Sequence, residues 1–487
     1  MRVSDYLIKK SFKRRTLNYG STTVTTGFSA PNQSMKKPTG KYDYFNQDKI
    51  LDELYSGSHI IYNCSYRSMR PKYKWNAKEQ KNELDGYEDV TRNAVSWQEA
   101  ISSNKTATCG GNPPWIGNES GPENSERVSE IKSYINVMNL QSAILSHFDS
   151  IFRTGDGALY FYIEDNNIKW KSFSYENGDN CTETMDYENP EEKMGVRYFD
   201  YESYDAVEFY RNKQIELYIK FPDEEAMMSF FPNAIGTKTD DDYYLIRKAE
   251  HGLNESPFAY HREKDVPWGP VQNNIEDYEK TLSDVGENVK YYAYQILFLS
   301  GGAMSLPNAN FGGKVIGSKN SDGKAEILAP ADASNILDVS FKKTYNAICD
   351  GSKSVFIKPD ELKGQNDSGA YIANLYWPEI QFATLFYARY SQCMSKILSI
   401  IKKLVGTINK DLLGYSNVRL SHVFEPFIPK NKLEESTILQ QGVTAGFLSK
   451  ETATEESSSA NPLEMERLRK EAKEKVEMEK SKTIEES

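Results

Sequence analysis

The stretch NIEDYEKTLSDVGENVKYYAYQILFLS, residues 274–300, decides how this chain is read. Its apolar positions are Ile275, Tyr278, Leu282, Val285, Val289, Tyr292, Ile296 and Leu299, spaced alternately three and four apart. That spacing predicts one helix from Asn274 to Ser300 whose stripe faces other helices. Pro270 stands before it and Gly301-Gly302 after it, both suited to helix ends. Asp277, Glu279, Lys280, Asp284, Glu287, Asn288 and Lys290 lie between the stripe residues and make most of the remaining surface polar. Each Leu, Ile or Val buried on such a seam contributes roughly 1.5–3 kcal/mol. Two readings of the stripe stand: an amphipathic helix in an ordinary core, or a seam partly completed by other copies of the chain.

Composition favours a subunit with much surface. Of 487 residues only 38% are hydrophobic, and the net charge is −11. Tight, static binding to DNA rests on phosphate neutralisation by Lys and Arg, so an acidic chain is poorly suited to it. It can still surround DNA without gripping it. The five cysteines, Cys64, Cys109, Cys181, Cys349 and Cys393, are odd in number, far apart and without a C-x-x-C pair. They suit neither a disulfide framework nor a zinc site, and point to a reducing compartment of assembly. No run of about 18 apolar residues is present, so no membrane span is expected. Met1-Arg2-Val3-Ser4-Asp5 lacks the apolar core of a signal peptide, so the N-x-S/T matches at Asn63, Asn104, Asn118 and Asn180 read as chance.

Outward from the stripe, residues 1–40 form a basic arm with Lys9, Lys10, Lys13, Arg14 and Arg15. It reads as disorder or as an arm touching nucleic acid or a neighbouring subunit. A short helix is expected at Asp48–Leu54. Residues 82–124 are rich in Asn, Gly, Ser and charge and read as a long surface insertion. An amphipathic helix follows from Ser125 to Phe152. Strands are expected at Leu159–Ile163 and Ile168–Phe173 around Asp165-Asn166-Asn167, then at Ala206–Tyr210, Ile215–Phe221 and Tyr243–Arg247. The tyrosines among them suit a half-buried pleated surface better than base stacking. Past the stripe come glycine-rich residues 301–330, a second helix at Ala331–Asp350, a loop at Gly351–Gly369 and a long helix at Pro378–Val405. A strand at Asn417–Phe424, a helix at Asn431–Gln441, a turn capped by Ser449 and a Glu/Lys/Arg-rich helix from Asn461 complete the chain.

No catalytic constellation emerges. A phosphate-cradling loop needs G-x-x-x-x-G-K-[ST], and the nearest match, Gly312 to Gly317-Ser318-Lys319, reverses its last pair. The histidines His59, His147, His251, His261 and His422 have no metal-ligand spacing. Asp240-Asp241-Asp242 reads as a solvated turn, with a divalent-cation nuclease as its sharper alternative. Lys342, Lys343 and the loop lysines Lys353, Lys358 and Lys363 are the best candidates for transient phosphate contact; the competing reading is an ordinary surface loop.

The order of elements resembles the portal, or connector, proteins of tailed bacteriophages. Five stretches carry the likeness: the Ser125 helix leading to Thr154-Gly155-Asp156-Gly157-Ala158-Leu159-Tyr160; Ser256-Pro257-Phe258-Ala259-Tyr260-His261 before the striped helix; Asp367-Ser368-Gly369-Ala370 before the long helix; Phe424-Glu425-Pro426-Phe427-Ile428-Pro429-Lys430-Asn431; and Gly446-Phe447-Leu448-Ser449-Lys450-Glu451-Thr452. The likeness runs from about Ser125 to the end of the chain. It implies an α+β, mainly helical portal fold assembled as a ring, usually of twelve copies, at one capsid vertex. Residues 41–269 would be the wing, carrying the 82–124 insertion, and 270–300 and 331–350 the two stem helices. Residues 301–330 would be the clip, 351–369 the tunnel loop, 370–430 the long wing helix and strand, and 431–487 the crown. Genomic DNA would be packaged and later ejected through the ring without sequence specificity.

The implied partners are other copies of the chain, the major capsid protein, the terminase large subunit and head-to-tail adaptor proteins; no membrane, cofactor or enzymatic activity is expected. Assembly in the host cytoplasm and residence in the virion are implied too. The expected channel residues are Lys342, Lys343, Lys353, Lys358 and Lys363, and the eight stripe residues form the expected oligomer seam. A coiled-coil scaffold or tail-assembly protein without a DNA channel is the alternative from another class.

Overall fold

The computed structural model describes residues 47–54, 59–64, 66–76, 81–186, 189, 191–239, 242–293, 296–300, 324–328, 334–356, 374–428, 432–449 and 453. The basic arm, the centre of the expected clip with its Gly312–Lys319 match, Asp240, Asp241, Lys358, Lys363 and the helix from Asn461 lie outside the described residues.

The elements run α1 (Gln47–Leu54), β1 (Arg70–Asn76), β2 (Lys81–Glu88), α2 (Trp97–Gly110), β3 (Trp115–Asn118), α3 (Ser125–Val137) and α4 (Leu140–Thr154). Next come β4 (Asp156–Glu164), β5 (Asn167–Phe173), β6 (Asn180–Met185), β7 (Lys193–Tyr201), β8 (Tyr204–Tyr210), β9 (Gln214–Lys220), α5 (Glu224–Phe230), β10 (Tyr243–Glu250) and β11 (Phe258–Arg262). The remainder is α6 (Gln272–Ala293), β12 (Ile296–Ser300), β13 (Lys324–Leu328), α7 (Ser334–Ser352), α8 (Trp377–Ile408), α9 (Leu412–Ser416), β14 (Leu420–Val423) and α10 (Lys432–Thr444).

The chain divides into two units. The first comprises residues 1–354 and 386–425. In it a five-stranded antiparallel sheet, ordered β10-β9-β8-β7-β6, packs near a three-stranded sheet, β11-β4-β5. Asp165 and Asn166 both take positive φ, 52° and 58°, the conformation a two-residue hairpin turn requires, so the β4–β5 turn falls where the sequence puts it. Phe258, Phe173 and Tyr210 stack between the sheets, joined by Ala158, Cys181 and Ile215. A second core lies around α4 and α8. Phe148 meets Phe386 at 4.9 Å and Tyr390 at 4.8 Å between ring centres, and Phe152 meets Phe386 at 4.7 Å. All four rings are buried, each worth roughly 1.5–3 kcal/mol over leaving it in water.

The second unit comprises residues 355–385 and 426–487. The Val355 N–H donates to Glu379 Oε1 at 3.1 Å, and Glu379 is buried in the first turn of α8. After α10, Gly446 takes φ 80° and the Leu448 N–H returns to the Gly442 carbonyl at 3.2 Å, which closes the helix end.

Four expectations need correction. The Ser125–Phe152 helix is two helices, α3 and α4. Asn139 breaks it in a left-handed conformation, φ 54°, and its side chain accepts from the Ser142 N–H to cap α4. Residues 82–124 are not a loose insertion. Within them α2 buries Ile101, Ser102, Lys105 and Cys109, and Ser102 Oγ donates to the Phe152 carbonyl at 3.0 Å. A Cβ on Gly110 would stand 2.8 Å from Leu145 Cδ2, so small residues set this contact and leave no apolar stripe to read. Gly406 does not follow the long helix but lies inside it, where a Cβ would come within 3.0 Å of Leu412 Cα as the chain turns back into α9. The fourth correction falls on the striped helix.

Candidate functional site

α6 ends at Ala293, not Ser300. Ile296–Ser300 is a strand paired antiparallel with Lys324–Leu328, Ile296 opposite Leu328 and Ser300 opposite Lys324. Ile296-Leu297-Phe298-Leu299 is an unbroken apolar run, which helix and strand fit equally well; the Ile327-Leu328 partner decides in favour of the strand. Ile296 and Leu299 therefore do not continue the helical stripe.

α7 runs back along α6. A Cβ on Gly351 would collide with Val271 Cγ1, just before α6 begins. Tyr278 meets Phe341 edge-on at 5.3 Å, and Trp97 stands beside both Tyr278 (5.9 Å) and Tyr345 (5.6 Å). α6 and α7 therefore pack antiparallel, and between them in sequence β12 and β13 pair antiparallel. Ile275 is fully buried and Tyr278 is partnered within the chain, so the stripe begins as internal core. Leu282 and Val285 are half-buried, and Val339 of α7 is 51% exposed.

The polar face of α6 is occupied by a strap, residues 91–95. The Thr91 N–H donates to Glu287 Oε2 (2.8 Å), the Asn93 N–H to Ser283 Oγ (2.9 Å) and the Val95 N–H to Glu279 Oε1 (2.9 Å). The acceptors are four apart and the donors two apart. Four helical residues rise about 6.0 Å and two extended residues about 6.6–6.8 Å, so the two repeats keep step. Gly286 makes room: a Cβ there would lie 2.9 Å from Thr91 Cγ2 and 3.0 Å from Asn93 Nδ2.

Next to the strap, the buried His59 joins the buried Glu279. Nδ1 is 2.5 Å from Glu279 Oε1, and Nε2 is 2.8 Å from the Glu53 carbonyl. Glu279 Oε1 also accepts from the Val95 N–H, and both ring nitrogens face acceptors. That geometry suits an imidazolium donating twice. Burial lowers the His59 pKa, but the Glu279 hydrogen bond and the charges of Glu279 and Glu53 outweigh it, and the net shift is upward from 6.5. Gln272 Nε2 donates to Glu53 Oε2 (2.7 Å), Gln98 Nε2 donates to Gln272 Oε1 (3.0 Å), and Arg67 pairs with Asp284 at 2.6 Å.

At its far end α7 closes in a Schellman motif. The Ser354 N–H bonds to the Cys349 carbonyl (2.9 Å) and the Lys353 N–H to the Asp350 carbonyl (3.2 Å). Lys353 holds the left-handed position, φ 53°, where glycine is usual. The fully buried Lys105 sends Nζ to the Lys353 carbonyl at 2.6 Å, placing a cation at the negative end of the helix.

Of the lysines picked out from the sequence, Lys342 and Lys343 are exposed side by side on α7 and Lys353 is half-buried at its end. Sequence reasoning missed the strap, His59 and Lys105. Glu279, Ser283 and Glu287 do stand four apart beside the stripe, a visible line of acceptors, but nothing near Thr91 marks it as their partner. Asp242 forms an ion pair with Lys238 at 2.8 Å. Among the described residues no three His, Cys, Asp or Glu side chains are grouped to hold a metal, and no helix is long and apolar enough to cross a membrane.

The family model described as "Phage portal protein, SPP1 Gp6-like" matches residues 38–478, and the chain belongs to that family. Among solved structures, a chain in the neck of an empty GTA particle, computed with C6 symmetry, is similar with a TM-score of 0.36 and 9% identity over 73% of this chain and 86% of that one. A chain of the virion of a native gene transfer agent particle gives 0.34, 8%, 73% and 86%. One from the neck of a native GTA particle, computed with C12 symmetry, gives 0.33, 9%, 75% and 89%. No curated protein matches the chain.

Proposed function

We propose that this chain forms a closed ring at one capsid vertex, a channel through which genomic DNA is packaged and later ejected. The α6–α7 pair is its stem, and residues 301–330 are the clip that receives the terminase motor and then the head-to-tail adaptors. The observation that carries the reading is the antiparallel pair of α6 and α7, braced by its strap, inside a portal-family match that spans most of the chain. The half-buried Leu282 and Val285 and the exposed Val339 leave apolar surface on the stem for neighbouring copies. An acidic subunit suits a conduit, because strong phosphate contacts would stall sliding DNA. Lys342, Lys343, Lys353, Lys358 and Lys363 would soften that repulsion.

Native mass spectrometry with negative-stain imaging of the purified chain tests the reading. A closed ring of about a dozen copies with a central hole is expected. An open or rod-like assembly would replace the conduit by a coiled-coil scaffold.

A further inference from the structure

Two surface features of the first unit complement one another. The first is a groove of about 540 Å³ between β3 and the α3–α4 corner, lined by Pro113, Pro114, Trp115, Ile116, Lys132 and Ile135 among others. Trp115 is 61% exposed, and its ring lies over Gly117, where a Cβ would strike it. It therefore presents aromatic surface outward from a fixed position. Lys132 is the one charged side chain lining the groove, and it is exposed.

The second feature is α5. Its inward residue Met227 is buried with Phe221 and Tyr244, while Met228 and Phe230 are 40% and 45% exposed. Ile235, 53% exposed, adjoins Gly236, where a Cβ would sit 4.0 Å from Met228 Cε. The charged residues of α5 and its cap are all acidic: Asp223, Glu224 and Glu225. Asp223 caps the helix, accepting from the Ala226 N–H at 2.8 Å, while Glu224 and Glu225 face water.

A cyclic assembly is built from heterologous contacts, so each copy must carry two different surfaces that fit each other. Groove and knob meet that requirement in charge and in size: one is aromatic with a cation, the other apolar with carboxylates, and a cavity of this volume accommodates a few large side chains. They also lie on separate elements. The groove belongs to β3 and α3; the three-stranded sheet follows through β5, then the five-stranded sheet, and α5 packs on the latter.

We infer that α5 of one copy docks in the Trp115–Lys132 groove of a second copy, Met228 and Phe230 entering beside Trp115 and Glu225 reaching Lys132. This inference rests on the ring reading above.

The test mixes two purified variants in a Cys64→Ser background, which removes the exposed native thiol. One carries Lys132→Cys, the other Glu225→Cys, and a short bismaleimide is added. Covalent dimers are expected from the mixture and not from either variant alone. Native mass of the same samples separates the two ideas. A ring without the mixed crosslink overturns the docking and leaves the ring standing; the crosslink without a closed ring does the reverse; neither together overturns both. In an otherwise native chain, Lys132→Glu and Glu225→Lys are each expected to lower the assembled fraction several-fold and their combination to restore it. A combination no better than the single changes would count against the docking.

Discussion

His59 Nδ1 and Glu279 Oε1 stand 2.5 Å apart in the interior, at positions 220 apart in sequence. The contact ties a segment near the start of the described chain to the first half of α6. Because the His59 pKa is raised above 6.5 in the folded protein, the pair's contribution is fully present below pH 6.5 and fades as pH rises through the folded value. Amide exchange along α6 should therefore be slower at pH 6 than at pH 9, after correction for intrinsic rates. Glu279→Ala would leave a buried imidazolium unpaired and should cost about 3–5 kcal/mol in urea unfolding. In His59→Gln the pH dependence of α6 protection should flatten; if it persists unchanged, another group is responsible.

Gly286 faces the strap with no side chain between, and it makes the strap testable by itself. On an ordinary helix surface Gly→Ala gains about 1 kcal/mol. Here the new methyl would press on Thr91 and Asn93, so Gly286→Ala should give no such gain. Gly286→Leu should lift the strap off and speed exchange at the Thr91, Asn93 and Val95 amides at least tenfold. A full gain from alanine would mean that the strap does not bear on the helix.

These contacts mark what the sequence could and could not disclose. The Asp165-Asn166 turn, the strands on either side and the long apolar helix were legible because each is signalled by its own residues. The end of α6 was not, because Ile296–Leu299 suits helix and strand alike and only Ile327-Leu328 chooses between them. α2 was hidden because its packing uses serine and glycine in place of a stripe. β6 and β7 are held in part by ion pairs, with Arg197 bridging Asp179 and Glu208 between the rings of Phe173 and Phe199, a pattern with no period to detect. The family resemblance, read from the order of stretches, agrees with the match over residues 38–478.

Lys353 and Lys105 set opposing terms at the end of α7. A non-glycine residue at φ 53° costs about 1–2 kcal/mol, part of which glycine would return to the unfolded chain as entropy. Lys353→Gly should therefore raise stability by roughly 0.5–1 kcal/mol. Lys105→Met keeps the bulk but removes the donor to the Lys353 carbonyl, and should lower stability by about 1–3 kcal/mol. Urea denaturation of both variants checks the pair. If Lys353→Gly is destabilising instead, its side chain makes a contact worth more than the backbone strain.

The same Lys353 is one of the proposed channel residues, and its stability effect must be separated from any effect on DNA. Conduit lysines would meet phosphates transiently and without reading bases, so their loss should act on every sequence alike. Alanine at Lys353, Lys358 and Lys363 together should lower DNA retention or packaged length several-fold in particles, while ring mass stays unchanged. Lys342→Ala with Lys343→Ala, on the exposed face of α7, should act in the same direction without touching the Schellman motif. Lys353→Gly supplies the control: it removes the same charge without loss of stability, so a packaging defect shared with the alanine variants would follow the charge. Unchanged retention and packaging with all three loop lysines replaced would remove them from the channel and leave Lys353 as a helix-end residue alone.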